Sequence, residues 1–450
     1  MSKPQSEAEY LARMIPPSVA ALRRRTFLKG VAGTGAAFAL PSLLAACGGD
    51  EDGEGTAGGG GTPSGTVTFG SNEAGGDVPQ QRRQALVAAY EESSGLDIEM
   101  NEVDHNTFQE NINNYLQGSP DDVFAWFAGY RMRFFAERGL IAPITDIYPI
   151  EGINEAFTES ATGDDGEQYL APDSNYPWAV FYRKSLWDEN GWTPPATLDE
   201  FVELCKDMQG AGITPLAFAD KDGWPAMGTF DIINMRTNGY DFHIALMAGD
   251  EAWDSTEVKT VFETWRDLMP YHQTDSLGRT WQEAAQSLQQ RTTGMFLLGL
   301  FMNEQFPEEE RDDIDFFTFP EIDSAIGADA IDAPIDGFCM SADPDNEAGA
   351  KDFLAWLSSA EAADAASEAG FPLIWANSGA DLSGLNALQQ KGAEFIAEQA
   401  SIAQFLDRDT RPDFASTVMI PALQTFIGDP EDIDGLTSSI EEQKQSIFVD

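Results

Sequence analysis

The segment Tyr176–Phe218, YPWAVFYRKSLWDENGWTPPATLDEFVELCKDMQGAGITPLAF, decides the fold of this chain. Its punctuation is explicit. Pro194–Pro195 forbid helix on their side of the segment, because proline lacks a backbone N–H and restricts the residue before it. Thr197 suits a helix N-cap, and Glu200 stands three residues on, the arrangement of a capping box. Phe201, Leu204, Cys205 and Met208 recur at helical spacing and predict one buried stripe. Gly210 and Gly212 stop the helix, and PLAF (Pro215–Phe218) follows as a strand.

The alternation continues outward. TVTF (Thr66–Phe69) reads as a strand. PQQRRQALVAAYEESSG, with Pro79 early and Gly95 as its stop, reads as a helix, and LDIEMNEV (Leu96–Val103) as a half-buried strand. A helical pattern from about Thr107 to Leu116 leads into VFAWF (Val123–Phe127), a short buried strand. Towards the C-terminus GMFLLG (Gly294–Gly299), DIDFFTFP (Asp313–Pro320) and GFCMS (Gly337–Ser341) are strand-like. Ala350, Phe353, Leu354 and Leu357 share a face in the helix pair closed by Gly370-Phe371-Pro372. Strands alternating with helices predict an α/β protein with a largely parallel sheet, and 450 residues suit two domains better than one core.

The apolar fraction of 42% is that of a packed globular protein. The formal net charge is −50. Such a surface repels nucleic-acid phosphates and anionic membrane surfaces, so nucleic acid is excluded as a partner. The acidity fits a salt-rich habitat, where it is screened, and equally a merely acidic secreted protein. Cys205 and Cys339 read as small buried thiols, with a disulfide between them left open. The three histidines stand far apart and make no HExxH, so no metal site and no cofactor is expected.

Positive charge is densest near the start, in RRRTFLKGVAGTGAAFALPSLLAACGGDEDGEG (Arg23–Gly55). The run Val31–Ala46 is too short and too weakly apolar for a membrane span, which needs ~20 residues. A basic region, a short apolar run and a small-residue end are the parts of an export signal. RRRTFLK resembles the twin-arginine signature, with Arg24 and Arg25 as the pair. LLAAC resembles the lipobox of lipoproteins, which implies cleavage before Cys47 and lipid on its sulfur. Residues 1–46 are then a signal peptide and 47–64 a lipidated, Gly- and acid-rich tether. The folded body is expected from residue 65, outside the cytoplasm and lipid-anchored to the cell membrane.

The order of landmarks resembles the extracellular solute-binding proteins of ABC importers, in the group (family 1) that carries sugars and oligosaccharides. PDDVFAWFAGYRMRFFAERGLIAPITD is similar to a strand-and-helix segment of that family. FYRKSLWDENGWTPPATLDEF resembles its YNK-x-L-F and PP-x-TWDE stretch, with Arg183 for the usual Asn and Leu198 for the usual Trp. TTGMFLLGLF and PDNEAGAKDFLAWLSSAEAADAASEAGFPLIWANSG resemble two later landmarks. The resemblance implies a two-lobed periplasmic-binding-protein-like fold (type II), with discontinuous lobes joined by a hinge and the ligand between them. Lobe one is expected at 65–176 plus 339–377, and lobe two at 177–338 plus 378–450. It also implies a small-molecule solute, a mono- or oligosaccharide, delivered to ABC permease subunits by a monomeric carrier.

A sugar stacks its C–H faces on aromatic rings and needs fixed donors and acceptors for its hydroxyls. Ser71, Asn72 and Glu73 follow the first strand, where open α/β sheets place ligands; an ordinary polar turn is the alternative. Phe127 and Tyr130 follow another strand, and Phe127 serves equally as core. Tyr176 and Trp178 lie at the expected hinge. Trp224 sits in a Gly/Pro-rich loop, and Phe301 stands where the family often has a cleft Trp. Asp336 precedes a hinge-strand glycine, Trp375 nears a lobe crossing, and Arg411 faces either the cleft or Asp413 in a surface ion pair. Trp187, Trp192 and Trp356 read as packing. No GxSxG, HExxH or P-loop is present, so no catalytic residue is assigned. An anchored hydrolase using two of the many acids, and the same fold binding a polyamine or other small solute, are the competing readings.

Overall fold

The computed structural model describes residues 64–448. Arg24, Arg25, Cys47 and all of the 47–64 tether except Ser64 lie outside them. The chain begins in one sheet with β1 (Thr66–Ser71), β2 (Asp97–Glu102), β3 (Val123–Phe127), β4 (Ile141–Ala142) and β5 (Ala171–Asn175). It then builds a second sheet from β6 (Trp178–Arg183), β7 (Thr214–Ala217), β8 (Thr293–Gly299) and β9 (Ile314–Phe317). After the short β10 (Ala330–Asp332) it returns to the first sheet as β11 (Ile335–Ser341), and β12 (Ser401–Ala403) later pairs with β10. The orders are β2-β1-β3-β11-β4, with β5 also on β11, and β7-β8-β6-β9.

The sheets are mixed. β1 runs parallel to β2 and β3, and β7 parallel to β8, but β11 and β6 run antiparallel to their neighbours. The expected parallel sheet fails at those two strands for one reason. Each enters by a short link from the strand before it in a different sheet, β6 from β5 and β11 from β10, without the crossover helix that a parallel connection needs.

The first sheet is covered on both faces, so β3 reads as continuously apolar. Its side chains still alternate. Val123 and Ala125 face a core with Phe69, Tyr90, Phe338 and Phe353, while Phe124 and Trp126 face one with Phe108, Ile112 and Phe135. The second sheet and its helices share one large core. The helix Leu198–Gly210 has the capping box read from the sequence, and buries Phe201, Leu204, Cys205 and Met208. Cys205 and Cys339 are buried free thiols in separate cores. Among the described residues no helix is long and apolar enough to cross a membrane.

Strand register corrects the expected lobe boundaries. Asp336, Gly337 and Phe338 pair with Phe127, Trp126 and Ala125 of β3. A change of lobe between 338 and 339 would cut this strand, so the crossing lies before Ile335. Near the other boundary, Asn377 bridges to Ile153, and Ser378 N–H donates to Gly152 O at 2.9 Å. Asp381 N–H donates to Asp364, whereas Leu388 already packs in the second core. The chain therefore changes sides between Asp381 and Leu388.

Candidate functional site

The crossings bring strand ends from both sheets to one cleft. Glu73 follows β1, Tyr176 follows β5, Trp178 opens β6 opposite Gly299 at the end of β8, and Asp336 lies early in β11. The cavity there measures about 220 Å³ and takes its lining from both lobes.

One wall is aromatic. Tyr176 meets Phe301 edge-on at 5.1 Å, and Phe301 meets Trp281 at 5.1 Å and Trp224 at 6.0 Å. Trp178 packs against Trp224 at 6.2 Å and Phe405 at 4.9 Å. The wall rests on the helix Pro225–Asn238, where Gly228 is required: a Cβ there would overlap both Trp178 and Phe405. Phe405 itself takes φ 112°, a conformation L-residues rarely adopt, at the entry to the segment carrying Asp407 and Arg408.

The opposite side is polar. Arg408 reaches from the second lobe into the first. Its Nη1 donates to Asp336 Oδ1 at 2.9 Å, its Nη2 donates to the Tyr176 hydroxyl at 3.2 Å, and its guanidinium lies 4.0 Å from the Phe127 ring centre. Burial alone would lower the Arg408 pKa, yet Tyr176, Asp336 and Asp407 raise it above the ordinary value, so the cation is secure. Arg131 similarly pairs with Asp407 at 2.8 Å and donates to Gln109 at 2.7 Å. Arg82 and Glu304 join the two lobes at 2.9 Å.

Glu73 and His105 stand at one end. Burial pushes Glu73 up to about 7 against the pull of Arg83 and Arg82. Burial, then the Arg408 and Arg131 cations, hold the His105 imidazole down at about 4, so it is neutral at pH 7. Among the described residues, three buried lining atoms have no hydrogen-bond partner: Trp178 Nε1, Asn303 Oδ1 and Asp407 Oδ1. One is a donor and two are acceptors.

Of the residues expected from sequence, Glu73, Tyr176, Trp178, Trp224, Phe301 and Asp336 meet at this cavity. The others do not line it. Ser71 is fully buried, and its Oγ accepts from Glu73 N–H at 3.2 Å, so it shapes the turn that presents Glu73. Asn72 Nδ2 lies 3.4 Å from His105 Nδ1 and supports that ring. Phe127 is buried beneath Arg408. Tyr130 packs at the helix Tyr130–Glu137 beside Arg133. Trp375 is in the core of the first lobe with its indole N–H on Ser367 Oγ at 3.3 Å, because its bridge to Ser174 turns the ring away from the cleft. Arg411 pairs with Asp413 at 2.8 Å. His105, Arg82, Trp281, Glu304, Asp407 and Arg408 were missed. Only DRDTRPDF carried a signal for any of them, and there Arg411 was singled out three residues beyond the arginine that enters the cleft.

The family described as bacterial extracellular solute-binding protein matches residues 76–364. The solved structure of the bacterial solute receptor AcbH, described as having an exclusive preference for β-D-galactopyranose, is 42% identical with a TM-score of 0.83. It covers 86% of this chain and 100% of AcbH. An uncharacterised ABC transporter extracellular-binding protein of Pyrococcus horikoshii is 25% identical over 55% of this chain and 56% of its own length. A probable sugar-binding periplasmic protein of Mesorhizobium japonicum is 27% identical over 35% of this chain and 39% of its own. The chain thus spans about half the length, or less, of these curated relatives. A profile match across most of the folded body, with the two-lobed architecture and its cleft, settles the classification: the chain belongs to the family of bacterial extracellular solute-binding proteins.

Proposed function

We propose that this protein is the lipid-anchored, monomeric carrier of an ABC importer, which captures a neutral carbohydrate between its lobes and presents it to the permease subunits. The observation that carries the reading is the pairing of an aromatic wall with unpartnered polar atoms. Trp224, Trp281 and Phe301 offer stacking surfaces, and Trp178 Nε1, Asn303 Oδ1 and Asp407 Oδ1 are free for hydroxyls. At about 220 Å³ the cavity lies below the ~300–1,000 Å³ usual for ligand pockets, which favours one or two sugar rings. The likeness to AcbH makes β-D-galactopyranose the first sugar to test.

Six acids line the cavity, which is the case for a polyamine. Most are already committed. Asp336, Asp407 and Glu304 are paired with arginines, while Asp77 and Asp104 cap helices. Capping does not cancel a carboxylate's charge, so Asp77, Asp104 and a part-ionised Glu73 are the charges a polycation would meet. A thermal-shift screen of mono- and oligosaccharides beside spermidine decides between them, since a ligand of the folded state raises apparent stability. With the sugar identified, calorimetric titration of Trp224→Ala is expected to show a roughly tenfold to hundredfold loss of affinity. Trp375→Ala is expected to lower Tm and leave affinity within a few-fold. Stabilisation by spermidine alone, weakened steeply by salt, replaces the sugar reading with the cationic one.

The anchor has its own test. A Cys47→Ser variant is expected to move from the membrane to the soluble extracytoplasmic fraction, and membrane association equal to the parent's removes the lipid from the proposal.

A further inference from the structure

We propose that Asp231, His243 and Asp332 form a buried site for a divalent cation of the zinc or manganese class in the second lobe. The three side chains are each 0% exposed. One ligand atom from each lies within 4.8 Å of the others. They come from separate elements: the helix Pro225–Asn238, the helix Tyr240–Met247 and β10. Spacing along the chain therefore gave no hint of them.

The hydrogen-bond inventory shows what this site needs. Among the described residues, Asp231 Oδ1, His243 Nε2 and both carboxylate oxygens of Asp332 are buried without a hydrogen-bond partner, and Nε2 lies 3.9 Å from Asp231 Oδ1. Buried carboxylates left without partners are strongly destabilising. Arg236 acts on Asp332 through its charge but makes no hydrogen bond to it. Arg236 spends its guanidinium on Phe319 O at 2.9 Å, Ala330 O at 2.6 Å and Thr318 Oγ1 at 3.0 Å. A dication held by His243 Nε2, Asp231 Oδ1 and one Asp332 oxygen supplies the missing partner. Two carboxylates, a neutral imidazole and one divalent ion sum to zero charge, which a dry interior tolerates. One nitrogen and two oxygens suit zinc or manganese better than the all-oxygen sets of calcium and magnesium.

The surroundings resemble a metal's outer shell. His243 Nδ1 lies 3.1 Å from the Asn234 side-chain amide. Asn234 Oδ1 otherwise accepts from Asn238 Nδ2 at 2.8 Å, so both amides must turn together, giving up the Asn238 Nδ2 bond to Glu257 O at 3.2 Å. Asn234 Oδ1 then accepts from Nδ1–H and the Nε2 lone pair is left for the ion. Asp231 uses its other oxygen, Oδ2, to accept from Leu406 N–H at 2.7 Å. Leu406 begins the turn that carries Asp407 and Arg408 into the cleft. The cation would thus hold the support of the ligand site and have no contact with the ligand.

The experiment uses the purified, untagged protein. Metal content by mass spectrometry is expected to give about one equivalent of zinc or manganese per chain. Unfolding in chelator and refolding without metal should lower Tm by at least ~5 °C, with recovery on adding Zn²⁺ or Mn²⁺. Asp332→Asn, nearly isosteric, should refold without binding the ion, and its Tm should not respond to it. Two results overturn the proposal: protein refolded without metal that has the parent's Tm and gains nothing from Zn²⁺, Mn²⁺ or Ca²⁺, or an Asp332→Asn variant that binds the ion as the parent does. The first needs no variant, so a folding defect in Asp332→Asn leaves the test intact.

Discussion

Replacing Arg408 with methionine is expected to lower sugar affinity by about a hundredfold or more and to cost roughly 3 kcal/mol of stability. Both effects follow from what the guanidinium joins. It is buried, and it bonds to Asp336 and the Tyr176 hydroxyl of the first lobe from a segment packed on the second. Methionine conserves much of the side-chain volume over Phe127 but leaves Asp336 as a half-buried carboxylate without its cation. Removing one partner of a buried pair is far more costly than removing both. The double variant Arg408→Met, Asp336→Asn should therefore regain most of the lost Tm. It should not regain affinity, because the charged face of the cleft is gone. Calorimetry and thermal melts on the single and double variants give the cycle. Parent-like binding in Arg408→Met would show that Arg408 is only a structural tie.

Local grammar carried the fold a long way. The helix Leu198–Gly210 was legible to the residue of its cap because a capping box, an apolar stripe and a glycine stop all act within a few residues of one another. Gly95, read as a stop, ends the helix Val78–Ser94 at φ 74°, whereas its N-cap Asp77 was not read from the sequence. What escaped depends on contacts between distant segments. Arg408 lies 72 residues from Asp336 and 232 from Tyr176, and its short turn has no periodicity to mark it. Trp375 was misplaced because a ring near a crossing has two sides to choose from. Its strand bridge to Ser174, invisible in sequence, turns it inward. Within the site, aromatic residues were found more readily than charges. Large rings on loops are few, whereas a chain of net charge −50 offers acids everywhere.

Acidification from pH 8 to about pH 5.5 is expected to stabilise this protein. Asp220 carries most of the argument. It is fully buried, its Oδ1 accepts from Ala226 N–H at 2.8 Å, and its Oδ2 has no protein partner. Burial pushes its carboxyl up to about 8, against the pull of Ala226 N–H, with neighbouring Asp222 adding to the rise. A raised folded-state pKa means that the native chain holds the proton more tightly than the unfolded chain. The stabilisation is then complete below the ordinary value of 3.8 and is lost as pH climbs through about 8. At about 1.4 kcal/mol per pKa unit, Asp220 alone costs on the order of 2–3 kcal/mol between the two conditions, a shift of a few °C in Tm. Glu73, near 7 and partly exposed, adds in the same direction. Relief of general repulsion among so many acids would also stabilise at low pH, but salt screens that term and leaves a buried desolvation nearly untouched. Melts of the parent and of Asp220→Asn at both pH values, in low and in 1 M salt, separate the two. The asparagine variant should be the more stable at pH 8 and show a flatter pH response at either ionic strength. Equal slopes for the two proteins would remove Asp220 from the account of the pH response.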